Sequence, residues 1–204
     1  MSEKEKSMPP ITRKASEEQQ ADIELAWEEQ IYDKFGRPTL RNSHAVASDT
    51  DSHSLYLFGG RSKGGTNNHL MVLSINDKQR GWTLLDTSGD VPCPRKSSSL
   101  IYHDGYLYLF GGNYKEKCLD DFYKYDIKSR TWSQIIVKGK TPCARDRHTL
   151  TLINEEALVL FGGYANDEKE FLNDLWSFDI KSKTWTLQPE QGAVPSPRFR
   201  KAFQ

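Results

Sequence analysis

Ser54-Leu-Tyr-Leu-Phe-Gly-Gly60 recurs as Tyr106-Leu-Tyr-Leu-Phe-Gly-Gly112 and again as Ala157-Leu-Val-Leu-Phe-Gly-Gly163. The di-glycines begin at 59, 111 and 162, steps of 52 and 51 residues. A period of that length marks a copied supersecondary unit rather than a single strand or helix. Registering the chain on these glycines aligns other residues. Trp82, Trp132 and Trp185 fall 50 and 53 apart, and Arg41, Arg95, Arg145 and Arg198 fall 54, 50 and 53 apart.

Within a unit, short runs of alternating character are separated by Gly, Asn, Asp or Pro, the pattern of strands joined by turns. In the second unit the strands read as Ser98 to His103, Tyr106 to Gly111, Asp121 to Asp126 and Thr131 to Val137. Asp104-Gly105 supplies the positive φ of a tight hairpin. The segments Met71 to Asn76, Phe122 to Asp126 and Leu175 to Asp179 align as third strands, each followed by a polar turn and then the Trp. Four antiparallel strands in about 50 residues make one blade of a β-propeller. The second strand is apolar on both faces, as a strand sandwiched between neighbouring blades must be. Its di-glycine allows close backbone approach, and the Trp fills space between blades. Pro38, Pro94, Pro142 and Pro197 suit loops carrying the chain from one blade's outer strand to the next blade's inner strand.

Di-glycine after an apolar strand, an aromatic-x-aromatic-Asp strand, Trp six residues beyond that Asp, then Pro and Arg: this arrangement resembles the kelch repeat. The resemblance runs from Trp27 to the C-terminus, 178 of 204 residues. It implies an all-β fold, a partial and open kelch-type propeller of three full four-stranded blades, at about 41–90, 91–140 and 141–191. The first unit departs mildly, with Asn76 in place of Asp.

The ends are incomplete in this reading. Residues 1–22, rich in Glu, Lys, Ser and Gln and without aromatics, read as a disordered polar segment. Residues 23–204 form the partial propeller. Trp27 precedes Arg41 by 14 residues, against 13 for the other Trp–Arg pairs, so 27–31 reads as an outer strand that closes a blade. The same region supports a helix, because Ile23, Trp27 and Ile31 recur every four residues and Ser16 with Gln19 resembles a capping box. Residues 195–204 begin a fourth blade. Propellers close with four to eight blades, and kelch-like rings commonly have about six. The chain therefore reads as a fragment of a longer kelch protein. The alternative is that two chains pair into a six-bladed ring through exposed end blades.

Bulk properties exclude several functions. Lys+Arg and Asp+Glu are 28 each, so no overall field favours nucleic acid or an anionic membrane. No apolar run is long enough to span a membrane, and the N-terminus lacks the apolar core of a secretory signal. Three unclustered cysteines fit a reducing, cytoplasmic setting.

Some kelch-type propellers are enzymes. A galactose-oxidase-like copper site needs paired tyrosines and histidines with a cross-linked cysteine, whereas His44, His53, His69, His103 and His148 are dispersed. The iron-dependent specifier pattern fails because Phe178 stands where its histidine is needed. Gly64-Gly65 reads as a flexible link rather than an anion loop. The expectation is no enzyme and no cofactor, but a scaffold that binds a protein or peptide partner. An adaptor for ubiquitin ligases or the cytoskeleton is a further alternative that the resemblance allows.

In the kelch family, ligand pockets often use the two residues after the loop arginine and the first few after the di-glycine. Carried onto this chain, the first set is Asn42, Ser43, Lys96, Ser97, Asp146 and Arg147. The second is Arg61, Lys63, Asn113, Lys115, Tyr164 and Asn166. Most are basic, amide or hydroxyl, a mixture suited to a peptide bearing acidic and polar groups.

Overall fold

Alternation of buried and exposed side chains builds three four-stranded antiparallel blades; Ser88–Gly89 adds a fifth, parallel strand to the second, and Arg41–Asn42, Arg61–Ser62 and Gly65–Thr66 form a separate three-stranded sheet. The computed structural model describes residues 38–75, 81–190 and 192–198. The disordered reading of 1–22, the strand or helix near 27–31 and most of the proposed fourth blade, from 199 on, lie outside the described residues. Blade one comprises Ala45–Asp49, Ser54–Phe58, Leu70–Ser74 and Trp82–Leu84. Blade two comprises Ser99–His103, Tyr106–Tyr114, Lys117–Asp126 and Thr131–Gln134. Blade three comprises Thr149–Ile153, Ala157–Ala165, Glu170–Asp179 and Thr184–Leu187. No helix occurs among the described residues. The fold is all-β, and among the described residues its sheets do not close into a ring.

The second and third strands of blade two are longer than the sequence suggests. Pairing continues past the di-glycine through Asn113↔Cys118 and Tyr114↔Lys117, with a bulge between Phe110 and Gly112. The glycines make the continuation possible, since Gly111 and Gly112 take φ of 58° and 102°, where other residues are strained. The fourth strand stops at Gln134 rather than Val137.

Blade one differs in register. Ser54 faces Ser74, as Tyr106 faces Asp126 and Ala157 faces Asp179. Ser74, not Asn76, therefore stands opposite Ser54 in the place of the strand-ending Asp, and the sequence interval from it to the Trp is two residues longer. The aspartates close that hairpin in blades two and three: Asp126 accepts the Lys128 and Ser129 amides, and Asp179 accepts that of Ser182.

The core lies between blades. Tyr56, Phe58 and Leu70 of blade one pack against Leu100, Leu107, Tyr125 and Trp132 of blade two. Tyr108, Phe110 and Phe122 of blade two pack likewise on Leu150, Leu158, Phe178 and Trp185 of blade three. Each indole lies edge-to-face on the preceding blade's phenylalanine: Trp132 on Phe58 and Trp185 on Phe110, both at 5.5 Å. This accounts for the shared period of Trp and Phe-Gly-Gly.

Candidate functional site

The loop arginines fix the geometry of the inner end of each blade. Arg145 has a wholly buried side chain whose Nη1 and Nη2 grip the Asp174 carboxylate at 2.6 and 2.7 Å. Its Nη1 also donates to the Gly162 carbonyl at 3.1 Å. Arg95 repeats the arrangement with Asp121 and the Gly111 carbonyl. Burial alone would lower the Arg145 pKa, but the hydrogen bond and charge of Asp174 reverse this and raise it. Burial pushes Asp174 up in turn, and Arg145, with the Trp176 indole, brings it below the ordinary carboxylate value. Both loops keep a cysteine beside the guanidinium, Cys93 at 3.4 Å and Cys143 at 3.3 Å.

The same arginines join successive blades. The Arg95 carbonyl accepts the Gly60 amide, that of Arg145 accepts Gly112, and that of Arg198 accepts Gly163, at 2.9 to 3.0 Å. A Cβ on Gly111 would come within 2.7 Å of the Arg145 oxygen, and one on Gly112 within 2.9 Å of the Lys96 oxygen. The first glycine thus admits the next blade's arginine and the second admits its own blade's inner segment.

These tethers place the two sets of residues singled out in the sequence next to one another. Asn42 pairs with Arg61, Lys96 bridges Asn113, and Asp146 bridges Tyr164. Ser43, Ser97 and Arg147 follow, all in the left-handed region with φ of 55°, 58° and 56°. Their backbones link blade to blade: Ser97 N–H donates to the Ser43 carbonyl at 2.7 Å, and Arg147 N–H to the Ser97 carbonyl at 2.9 Å. Ser43, His44, Ser97, Ser98, Arg147 and His148 line a cavity of about 260 Å³ at this rim.

Lys63 and Lys115 stand farther out on exposed hairpins, Lys115 over the Tyr114 ring. Asn166 instead ties two hairpin tips, donating to the Glu116 carbonyl at 2.6 Å. Asn113 and Asp146 are buried, so they present less surface than the sequence implied. Arg61, Lys63, Lys96, Lys115 and Arg147 are the cations of the sites singled out at the rim, whereas the blade-three hairpin carries Asp167 and Glu168. Lys96 meets Glu116 at 3.3 Å and Arg147 meets Asp146 at 3.7 Å. Burial first, then the Arg145 charge, pushes His148 down to about 3, so its imidazole is neutral at pH 7. Its ring lies edge-on to Phe110 at 5.3 Å. Among the described residues, no three His, Cys, Asp or Glu side chains are grouped to hold a metal ion.

The Arg–Asp pairs were not recognised in the sequence. Their signal was present, because Asp121 and Asp174 each stand five residues before the strand-ending Asp126 and Asp179. Blade one hides the rule. His69 occupies the corresponding place there, and Arg41 turns to the Asn67 side chain and the Gly59 carbonyl.

Three comparisons agree with this architecture. Kelch domain-containing protein 2 of Bos taurus is 29% identical over 121 residues, covering 59% of this chain and 29% of its own. Acyl-CoA-binding domain-containing protein 4 of Arabidopsis thaliana is 30% identical over 173 residues, covering 79% of this chain and 25% of its own. The chain thus spans less than a third of the length of these curated relatives. Among solved structures, that of YjhT superposes with a TM-score of 0.63 at 21% identity, over 76% of this chain and 53% of that one. The sequence model of the KLHDC2/KLHL20/DRC7 Kelch-repeats domain matches residues 23–203, and the chain belongs to that kelch-repeat family.

Proposed function

We propose that the protein is an interaction module whose rim, through its Arg and Lys side chains, binds an extended segment of a partner protein carrying acidic or polar groups. The observation that carries this reading is the pairing of Asn42 with Arg61, Lys96 with Asn113 and Asp146 with Tyr164. Through it, three blades offer equivalent loop positions side by side. The left-handed turns at Ser43, Ser97 and Arg147 hold the rim backbone in one conformation. A pre-ordered surface loses little entropy on binding. Guanidinium and ammonium groups there supply charge-assisted hydrogen bonds to carboxylates. A rigid scaffold with polar loops gathered at one end supports binding rather than catalysis.

The test is selection of a displayed peptide library on the 204-residue chain, followed by fluorescence-polarisation titration of the enriched peptide. Acidic peptides are expected, with affinity falling at least about tenfold in an Arg61→Ala, Lys96→Ala, Arg147→Ala variant. Enriched peptides that bind this variant as well as the parent chain would refute the reading.

A further inference from the structure

In blade two, the connection that leaves blade one covers the edge of the outer strand. Ser88–Gly89 pairs in parallel with Thr131–Trp132. The Ser88 and Asp90 amides donate to the Arg130 and Trp132 carbonyls at 3.1 and 2.9 Å. Side chains finish the cover: the Ser88 hydroxyl meets that of Thr131 at 3.1 Å, and the Asp90 carboxylate accepts the Gln134 amide at 3.3 Å.

Counted back from the loop arginine, Lys138, Gly139 and Lys140 stand where Ser88, Gly89 and Asp90 stand. They do not repeat the pairing. Among the described residues, Thr184–Leu187 has Glu170–Asp179 on one side and no strand on the other, and no backbone N–H reaches the Lys183 and Trp185 carbonyls. A Cβ on Gly89 would collide with the Trp132 carbonyl, whereas one on Gly139 would meet nothing within 4 Å. Thr184 is exposed where Thr131 is half-buried. The connection stands off and leaves room, since Ile135, Val137, Thr141 and Trp185 line a cavity of about 230 Å³. Residue chemistry accounts for the difference. Lys140 has no acceptor for the Leu187 amide, and Lys138 has no hydroxyl for Thr184.

We propose that the outer edge of blade three receives an extended segment of a partner protein, of the type Ser/Thr-Gly-Asp/Glu, added as a parallel strand along Lys183 to Leu187. An open strand edge offers a row of backbone donors and acceptors to such a segment. The chain itself argues for this occupant, because Ser88-Gly89-Asp90 fills the equivalent edge of blade two. Charge argues for it too. Lys183 at the start of the strip and Lys138 and Lys140 on the connection are exposed, and they favour an acidic segment. A second copy has its own Ser88–Gly89 engaged in its own blade two, so the occupant is a different protein. This edge is separate from the rim residues.

The test is titration of the isotope-labelled chain with a synthetic peptide copying Asp86–Pro92, read by amide NMR shifts and amide exchange. Saturable shifts are expected at the Trp185 and Leu187 amides. The same peptide carrying Asp90→Lys should bind at least about tenfold more weakly. Lys138→Ser with Lys140→Asp, both at exposed positions, should close the edge from within. That variant should protect the Trp185 amide before any peptide is added, and weaken peptide binding at least about tenfold. Absence of saturable shifts, shifts confined to the rim, equal binding of the Asp90→Lys peptide, or a double variant that binds as the parent does would each overturn the proposal. So would protection of Trp185 that grows with chain concentration in the absence of peptide, which would name a second copy as the occupant. The Arg61→Ala, Lys96→Ala, Arg147→Ala variant should bind this peptide as the parent does, so failure at the edge and failure at the rim are told apart.

Discussion

Arg145 and Asp174 form a bidentate ion pair at 2.6 and 2.7 Å, with the guanidinium side chain wholly buried and the carboxylate 29% exposed. The pair joins the loop entering blade three to that blade's third strand. Removing one partner strands a buried charge, at a cost of about 3 kcal/mol. Asp174→Ala is therefore expected to lower the unfolding free energy by about that amount in urea titration. Replacing both residues by apolar ones of similar size should recover much of the loss, since no unpaired charge remains.

Glycine at 111 is required for two reasons, its φ of 58° and the Arg145 oxygen that would lie 2.7 Å from a Cβ. Gly139 also has positive φ, 93°, but nothing within 4 Å of its Cβ position. Gly139→Ala should cost about 1 kcal/mol, from backbone strain alone. Gly111→Ala should cost at least about 2 kcal/mol more, because the next blade's arginine must shift. Equal melting temperatures for the two variants would remove the steric account of the first glycine.

His148 gives the protein an acid-sensitive core. The unfolded chain takes up its proton near pH 6.5, whereas the buried imidazole resists it down to about 3. The folded state therefore binds fewer protons across that window. Stability is complete above pH 6.5 and falls by about 1.4 kcal/mol per pH unit below it. Between pH 6.5 and about 5, where carboxylates stay ionised, His148→Leu should flatten the slope. An unchanged slope in the variant would show that another group titrates.

The repeated tryptophans are equivalent in sequence but not in burial. Trp132 is 1% exposed and packs on Phe58, Tyr123 and Tyr125. Trp132→Ala should cost about 3 to 5 kcal/mol. Trp82, half-buried in blade one, should cost much less in the same substitution. Urea denaturation of the two variants separates the two values.

The blades were legible in the sequence because their signals are local and copied. Phe-Gly-Gly, the Trp and the loop Arg each recur in every unit, so period alone fixes fold and count. Strand ends were less legible, since the bulge after Phe110 lets pairing continue through residues that resemble a turn. The shifted register of blade one was hidden by Asn76, which imitates an aspartate two residues beyond the place Ser74 holds. At the rim, the resemblance named positions but not their relationship. That Lys96 bridges Asn113 and Asp146 bridges Tyr164 depends on hydrogen bonds between segments 17 or 18 residues apart, which no single run of sequence displays.

The most direct measurement of the central claim is amide hydrogen exchange with and without the peptide selected on the chain. Binding at the rim predicts new protection in fragments holding Asn42–Ser43, Arg61–Lys63, Lys96–Ser97, Asn113–Lys115, Asp146–Arg147 and Tyr164–Asn166, with the outer strands Thr131–Gln134 and Thr184–Leu187 unchanged. Protection confined to those outer strands, with the rim unaffected, would contradict it.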